Sequence, residues 1–276
     1  MTARVLGLGA LQWMSVVVVL LTLIVVAESV LGHYRSGFPL RAQHAPIVAG
    51  GALVAGAVAA IVAPDSARAV GWLRVAGWVA VAVGVVGAGY HHRYGIREKA
   101  GGYRLLLHYL MYGAPPLAPL ALSAVGAVAV LVARELAREL AQGGAVDAGS
   151  HRAILGVAAA ALTGAVLQTG ILHYRGAFNT PLMYVPLLVP PLAAGAAGWA
   201  ALLTAPGPGP VALARLLLWA TFVLGFVGLG MHLRGIDRQM GGLRVLPFNL
   251  VQGPPPLAPA SFAGFAAVGL LALGRA

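Results

Sequence analysis

Two short polar runs interrupt an otherwise apolar chain: His33-Tyr34-Arg35 and His173-Tyr174-Arg175. Imidazole ligates haem iron and transition metals through an unprotonated ring nitrogen. Guanidinium grips carboxylates and phosphates through two parallel N–H groups, and a phenol donates one hydrogen bond. Further such groups cluster nearby in the sequence: His91, His92 and His232, and Arg104 and Arg244, each following a Gly-Gly pair. Glu28 precedes the first run inside an apolar stretch. A carboxylate there is expensive in a bilayer and marks a functional position, here as a proton-exchanging acid.

These residue types fit three ligand classes. A b-type haem takes two histidines facing each other across a helical bundle, with cations for its propionates. A quinone takes His, Arg and Tyr as donors in a mostly apolar pocket. His33, His92, His173 and His232 are then the ligands or donors, with Tyr34, Tyr174, Arg35, Arg104, Arg175 and Arg244 holding anionic or carbonyl groups. The third class is a transition metal in the first half of the chain, on His33, His44, His91, His92 and His108, beside Glu28. Against it, arginines close by repel a bare cation, and no HxxxH or ExxH spacing is present. Adjacent His91 and His92 diverge by about 100° on a helix and cannot chelate as a pair there. A structural alternative competes with all three: His and Arg at helix C-termini complement the negative end of the helix dipole.

The spacing of these groups is periodic. His33 and His173 differ by 140, as do Arg35 and Arg175, His92 and His232, and Arg104 and Arg244. GIREKAGGYRLLLHYLMYGAPPLAP (95–119) matches GIDRQMGGLRVLPFNLVQGPPPLAP (235–259) at the same offset without a gap. This is a tandem repeat, with units at 1–140 and 141–276. The copies differ: Glu28, His44, His91 and His108 stand where the second half has Gln168, Tyr184, Met231 and Phe248. A single catalytic or metal site is therefore expected in the first copy.

What positions these groups is a bilayer. The 276 residues are 60% hydrophobic and 9% charged, against about 25% charged in soluble domains. Apolar runs long enough to span as helices occur at 6–32, 45–63, 69–90, 114–133, 153–173, 181–204, 210–232 and 254–274. Small residues within them permit close helix approach. The first run resembles a signal peptide but is too long for an h-region. The fold expected is an all-α integral membrane protein of eight helices, two parallel four-helix repeats. The absence of cysteine excludes disulfides, Fe–S clusters and covalent c-type haem. The net charge of +11 is scattered between apolar runs and forms no nucleic-acid-binding face.

Even span numbers per repeat put the connections after odd spans on one side. That side collects seven of the eight histidines, all but His151. Basic residues divide ten to eight between the sides, a weak bias. Because the ten belong mostly to the repeated motifs, the N-terminus is placed in the cytoplasm of a bacterial cell and the His-rich face in the periplasm. The expected function is membrane electron transfer with haem b, quinone or both, as a subunit that partners the lipid bilayer and other subunits. The alternatives are a small-anion transporter and a metal-dependent membrane enzyme.

Overall fold

The computed structural model describes residues 8–142 and 148–274, and they are helical almost throughout. The long helices are α1 (Ala10–Arg35), α2 (Ala45–Val62), α3 (Ala67–His92), α5 (Leu120–Gln142), α6 (Ala148–Arg175), α7 (Val189–Leu202), α8 (Pro208–Asp237) and α10 (Ala258–Leu273). Between them lie two seven-residue helices, α4 (Leu106–Tyr112) and α9 (Leu246–Gln252). Among the described residues, seven helical segments are long and apolar enough to cross a membrane. α10 is shorter, at 16 residues, or about 24 Å of helix.

Proline sets the differences from the expected spans. Pro254, Pro255 and Pro256 lack amide hydrogens, so α10 opens at Ala258 and not at residue 254. Likewise Pro115, Pro116 and Pro119 delay α5 to Leu120. Pro181 and Pro186 hold 181–187 in a 3₁₀ helix, and α7 proper begins only at Val189. The sixth expected span thus changes helix type at Leu188. The run RELAREL continues α5 to Gln142, past the expected end at 133. The division at 140/141 thus falls in the last turn of α5, and residues 6–7 of the first expected span lie outside the described residues.

Packing follows the order α1–α2–α3–α5–α1 in one group and α6–α7–α8–α10–α6 in the other, so α1 and α3, and α6 and α8, stand on bundle diagonals. The groups meet where α1 packs on α10 and α5 on α6. The core is filled by Met14, Leu21, Leu53, Leu73, Leu162, Leu218 and Phe265, all essentially fully buried. Large apolar residues face outward along the spans, among them Trp72, Trp78, Val86, Leu192, Trp219 and Phe226. In water such a surface would drive aggregation, but in lipid it is the appropriate solvent contact. Gly84 lets α3 approach α5: a Cβ there would stand 2.2 Å from Ser123 Oγ and 2.6 Å from the Pro119 carbonyl oxygen. Gly225 does the same for α8, at 2.6 Å from Ala263 N and 3.0 Å from the Pro259 carbonyl oxygen.

These two contacts expose a change of register. Pro119 and Pro259 are 140 apart, but Gly84 and Gly225 are 141 apart. The extra residue is absorbed where α3 ends, in a π-helical turn over Arg93–Arg97, while α8 runs unbroken to Asp237. A single inserted residue in a helix is what a π-turn accommodates. The chain GYHHRYGI (89–96) therefore aligns with GMHLRGI (230–236) through a gap opposite Tyr94.

Candidate functional site

The site lies where α1, α3, α6 and α8 end. Each HYR motif terminates a helix through the same turn. The Phe38 amide donates to the His33 carbonyl and the Phe178 amide to the His173 carbonyl. Gly37 and Ala177 adopt positive φ, and so do Phe38 and Phe178, at 49° and 46°. A bulky side chain in this region costs about 1–3 kcal/mol and persists only when its surroundings hold it. Here the ring stands beside the histidine, 5.8 Å from His33 and 6.3 Å from His173, tilted in the first pair and edge-on in the second. His44 stacks on Phe38 at 4.9 Å, and Tyr184 on Phe178 at 4.4 Å.

The histidines form two pairs. His33 faces His91 with ring centroids 6.2 Å apart, and His173 faces His232 at 6.5 Å. Both pairs span a bundle diagonal, and all four side chains are half-buried. His91 Nδ1–H donates to the Pro115 carbonyl at 2.8 Å, His232 to Pro255 at 2.7 Å, and His173 to Met183 at 2.7 Å. His33 Nδ1 shares a 3.3 Å bond with the Ser29 hydroxyl. A carbonyl only accepts, so the Nδ1 of each of these three carries the hydrogen. In the neutral ring Nε2 then holds the lone pair. Among the described residues no protein group bonds the Nε2 of any of the four.

His91, and not His92, is the equivalent of His232. The 140-residue spacing of His92 and His232 crosses the Tyr94 insertion, and upstream of it the offset is 141. One helical step turns His92 away: its Nε2 meets the Tyr103 hydroxyl at 2.5 Å, and the residue is exposed. His44 bonds the Arg41 carbonyl at 3.3 Å, and His108 lies against Tyr109 and Tyr112. The five first-half histidines thus do not converge. Among the described residues no three His, Asp or Glu side chains gather as a metal-ligand group.

The acid and the motif arginines bind protein groups across the interface between the two helix groups. Glu28 Oε1 accepts the amides of Leu257 at 2.6 Å and Ala258 at 3.1 Å, capping α10. Its counterpart Gln168 accepts the amide of Leu117 at 3.2 Å, ahead of α5. Arg35 donates through Nε to the Val251 carbonyl and, at 2.8 Å, to that of Gly253. Arg175 donates to Leu110 at 2.5 and 2.8 Å and to Gly113 at 3.0 Å. These carbonyls end α9 and α4 and have no partner within their own helices. Tyr34 and Tyr174 point outward, 63% and 61% exposed.

Arg104 and Arg244 are exposed in the 3₁₀ turns Gly102–Leu105 and Gly242–Val245. The preceding Gly101 and Gly241 have φ of 79° and 80°, the left-handed region that glycine enters freely. Each turn is latched onto the following short helix. Tyr109 OH donates to the Ala100 carbonyl at 2.5 Å, and buried Asn249 Nδ2 donates to the carbonyls of Met240 and Gly242. The Tyr109 and Asn249 latches are long-range in effect but local in sequence, and the register match of residues 109 and 249 is the signal that marks them.

Comparison with protein-family models, with curated proteins and with solved structures finds no match.

Proposed function

We propose that this chain is an eight-span bacterial inner-membrane protein, built from two parallel four-helix repeats with α10 as the eighth span. In this reading it carries haem b between the paired histidines of each repeat and acts as an electron-transfer subunit. The observation that carries it is the pairing of His33 with His91 and His173 with His232. Three of the four rings are held by an Nδ1–H to backbone carbonyl bond, which fixes orientation and leaves Nε2 basic. Rings facing each other across a bundle diagonal are placed as ligating side chains on facing helices are. The paired imidazoles, with centroids 6.2 and 6.5 Å apart, would hold the group. Bound haem supplies one-electron transfer. The phenylalanines at positions 38 and 178 provide the apolar cover that such a group needs.

The same two nitrogens suit a single transition-metal ion, which is the second reading and rests on the same pairs. A quinone, as the lipid-soluble electron partner, would meet donors at the exposed His92–Tyr103 pair. The small-anion transporter has less support, since Arg35 and Arg175 are engaged by backbone carbonyls. The periplasmic placement of the histidine face follows from the charge argument alone.

The test is the absorption spectrum, pyridine haemochrome and metal content of the purified protein. Two haems per chain are expected, falling to one in His91→Ala and to one in His232→Ala. A colourless protein with neither haemochrome nor bound metal overturns the assignment.

A further inference from the structure

On the side opposite the histidines, a groove of about 410 Å³ runs between the first turns of α6 and the last turn of α7. Its walls are small, formed by Ala153, Gly156, Gly198 and Ala201, and Arg152 lines it. The residues 140 positions earlier are Gln12 at the place of Arg152, and Trp13, Val16, Val58 and Ile61 at the places of the four small ones. The corresponding positions in the first half thus carry bulkier side chains at all four places.

The polar residue differs in the same informative way. Gln12 is neutral and satisfied: Nε2 donates to the Ile61 carbonyl at 3.0 Å, and Oε1 accepts the Gly9 amide at 2.9 Å. Arg152 makes one comparable link, NH1 to the Leu203 carbonyl at 3.3 Å, and its enclosed Nε has no partner. Among the described residues no carboxylate lies within ion-pairing distance of it. A guanidinium at the edge of the hydrocarbon needs an anion, and the lipid headgroup layer supplies phosphate at that depth.

We infer that this groove is a binding site for an anionic phospholipid, with an acyl chain lying along the seam of α6 and α7 and the phosphate on Arg152. An acyl chain matches the small-residue walls, and the phosphate supplies both the missing charge and an acceptor for the free N–H groups.

The test is native mass spectrometry after equilibrating detergent-purified protein with equal amounts of phosphatidylglycerol and phosphatidylcholine. The wild type retains one phosphatidylglycerol in preference to phosphatidylcholine by about five-fold, the increment of one arginine near a lipid surface. Arg152→Gln, which installs the residue found at position 12, abolishes the preference. Ala153→Trp, which installs the residue found at position 13, lowers retention of both lipids. Should that variant fail to fold, Gly156→Val narrows the groove with a smaller group. Equal retention of the two lipids by wild type overturns the inference, as does a preference that survives both kinds of variant. The histidine sites are read separately by absorbance, so the outcome is independent of theirs.

Discussion

Glu28 holds Leu257: the carboxylate of a residue late in α1 accepts, at 2.6 Å, the backbone amide that opens α10, 229 residues away. The relation recurs with the roles of the halves exchanged, as Gln168 accepts the amide of Leu117 at 3.2 Å. The acid is thereby a cross-group helix cap, placed where proline-rich segments leave amides without intrahelical acceptors. Glu28→Ala is expected to lower stability by about 1–3 kcal/mol, the cost of unsatisfied buried donors. Glu28→Gln should lose less, because Gln168 already performs the task as an amide. Thermal melting in one detergent checks both. A Gln variant as damaged as the Ala variant would show that the charge itself matters.

Arg175 ties the second helix group to the first by three hydrogen bonds to the carbonyls of Leu110 and Gly113. Arg175→Ala should therefore loosen α4, a segment remote in sequence, and Arg35→Ala should loosen α9. Lysine cannot bridge two carbonyls with a planar fork, so Arg175→Lys restores only part of the protection. Limited chymotrypsin digestion at Tyr109 and Tyr112 reads the effect. Faster cleavage confined to residues near the mutation would contradict the crossed arrangement.

His91 and His92 differ by one helical step and by their partners, Pro115 and Tyr103. His91→Ala is expected to remove one haem equivalent, and His92→Ala none. Deleting Tyr94 takes out the residue that the π-turn accommodates and restores the 140-residue offset along α3. In that background His91 should stay required and His92 dispensable, because Gly84 against Pro119 sets the register of α3 ahead of the deletion. Haemochrome stoichiometry across the four variants decides it. If the requirement moves to His92 after the deletion, the packing of Gly84 does not set the register.

The helical class and seven of the spans were legible because they rest on apolar run length. The pairing of His91 with His33 was not. It depends on a one-residue insertion that only packing reveals, through Gly84 and Gly225 against Pro119 and Pro259. The roles of Arg35, Arg175 and Glu28 were also hidden, because their partners are backbone groups, which carry no side-chain signature. Residue type pointed to ligand binding, and topology assigned them to helix ends. The shortness of α10 could be read from Pro254–Pro256, whose missing N–H groups forbid an earlier start.

The repeated close approach of helices makes one further distinction measurable. Gly84 and Gly225 have no room for a methyl group, with backbone or Ser123 atoms within 2.6 Å of a built Cβ, whereas Gly89 and Gly230 have nothing within 4 Å. Gly84→Ala and Gly225→Ala must push α3 from α5 and α8 from α10, at about 1–3 kcal/mol each. Because α3 and α8 carry His91 and His232 at their ends, these variants should also weaken haem retention in their own repeat. Gly89→Ala and Gly230→Ala lie in the same helices and relieve a backbone-entropy cost of about 0.5–1 kcal/mol. They should be neutral or stabilising in thermal melts, with both haems kept. Equal losses at positions 84 and 89 would mean that helix flexibility, and not the distance of closest approach, is what glycine supplies here.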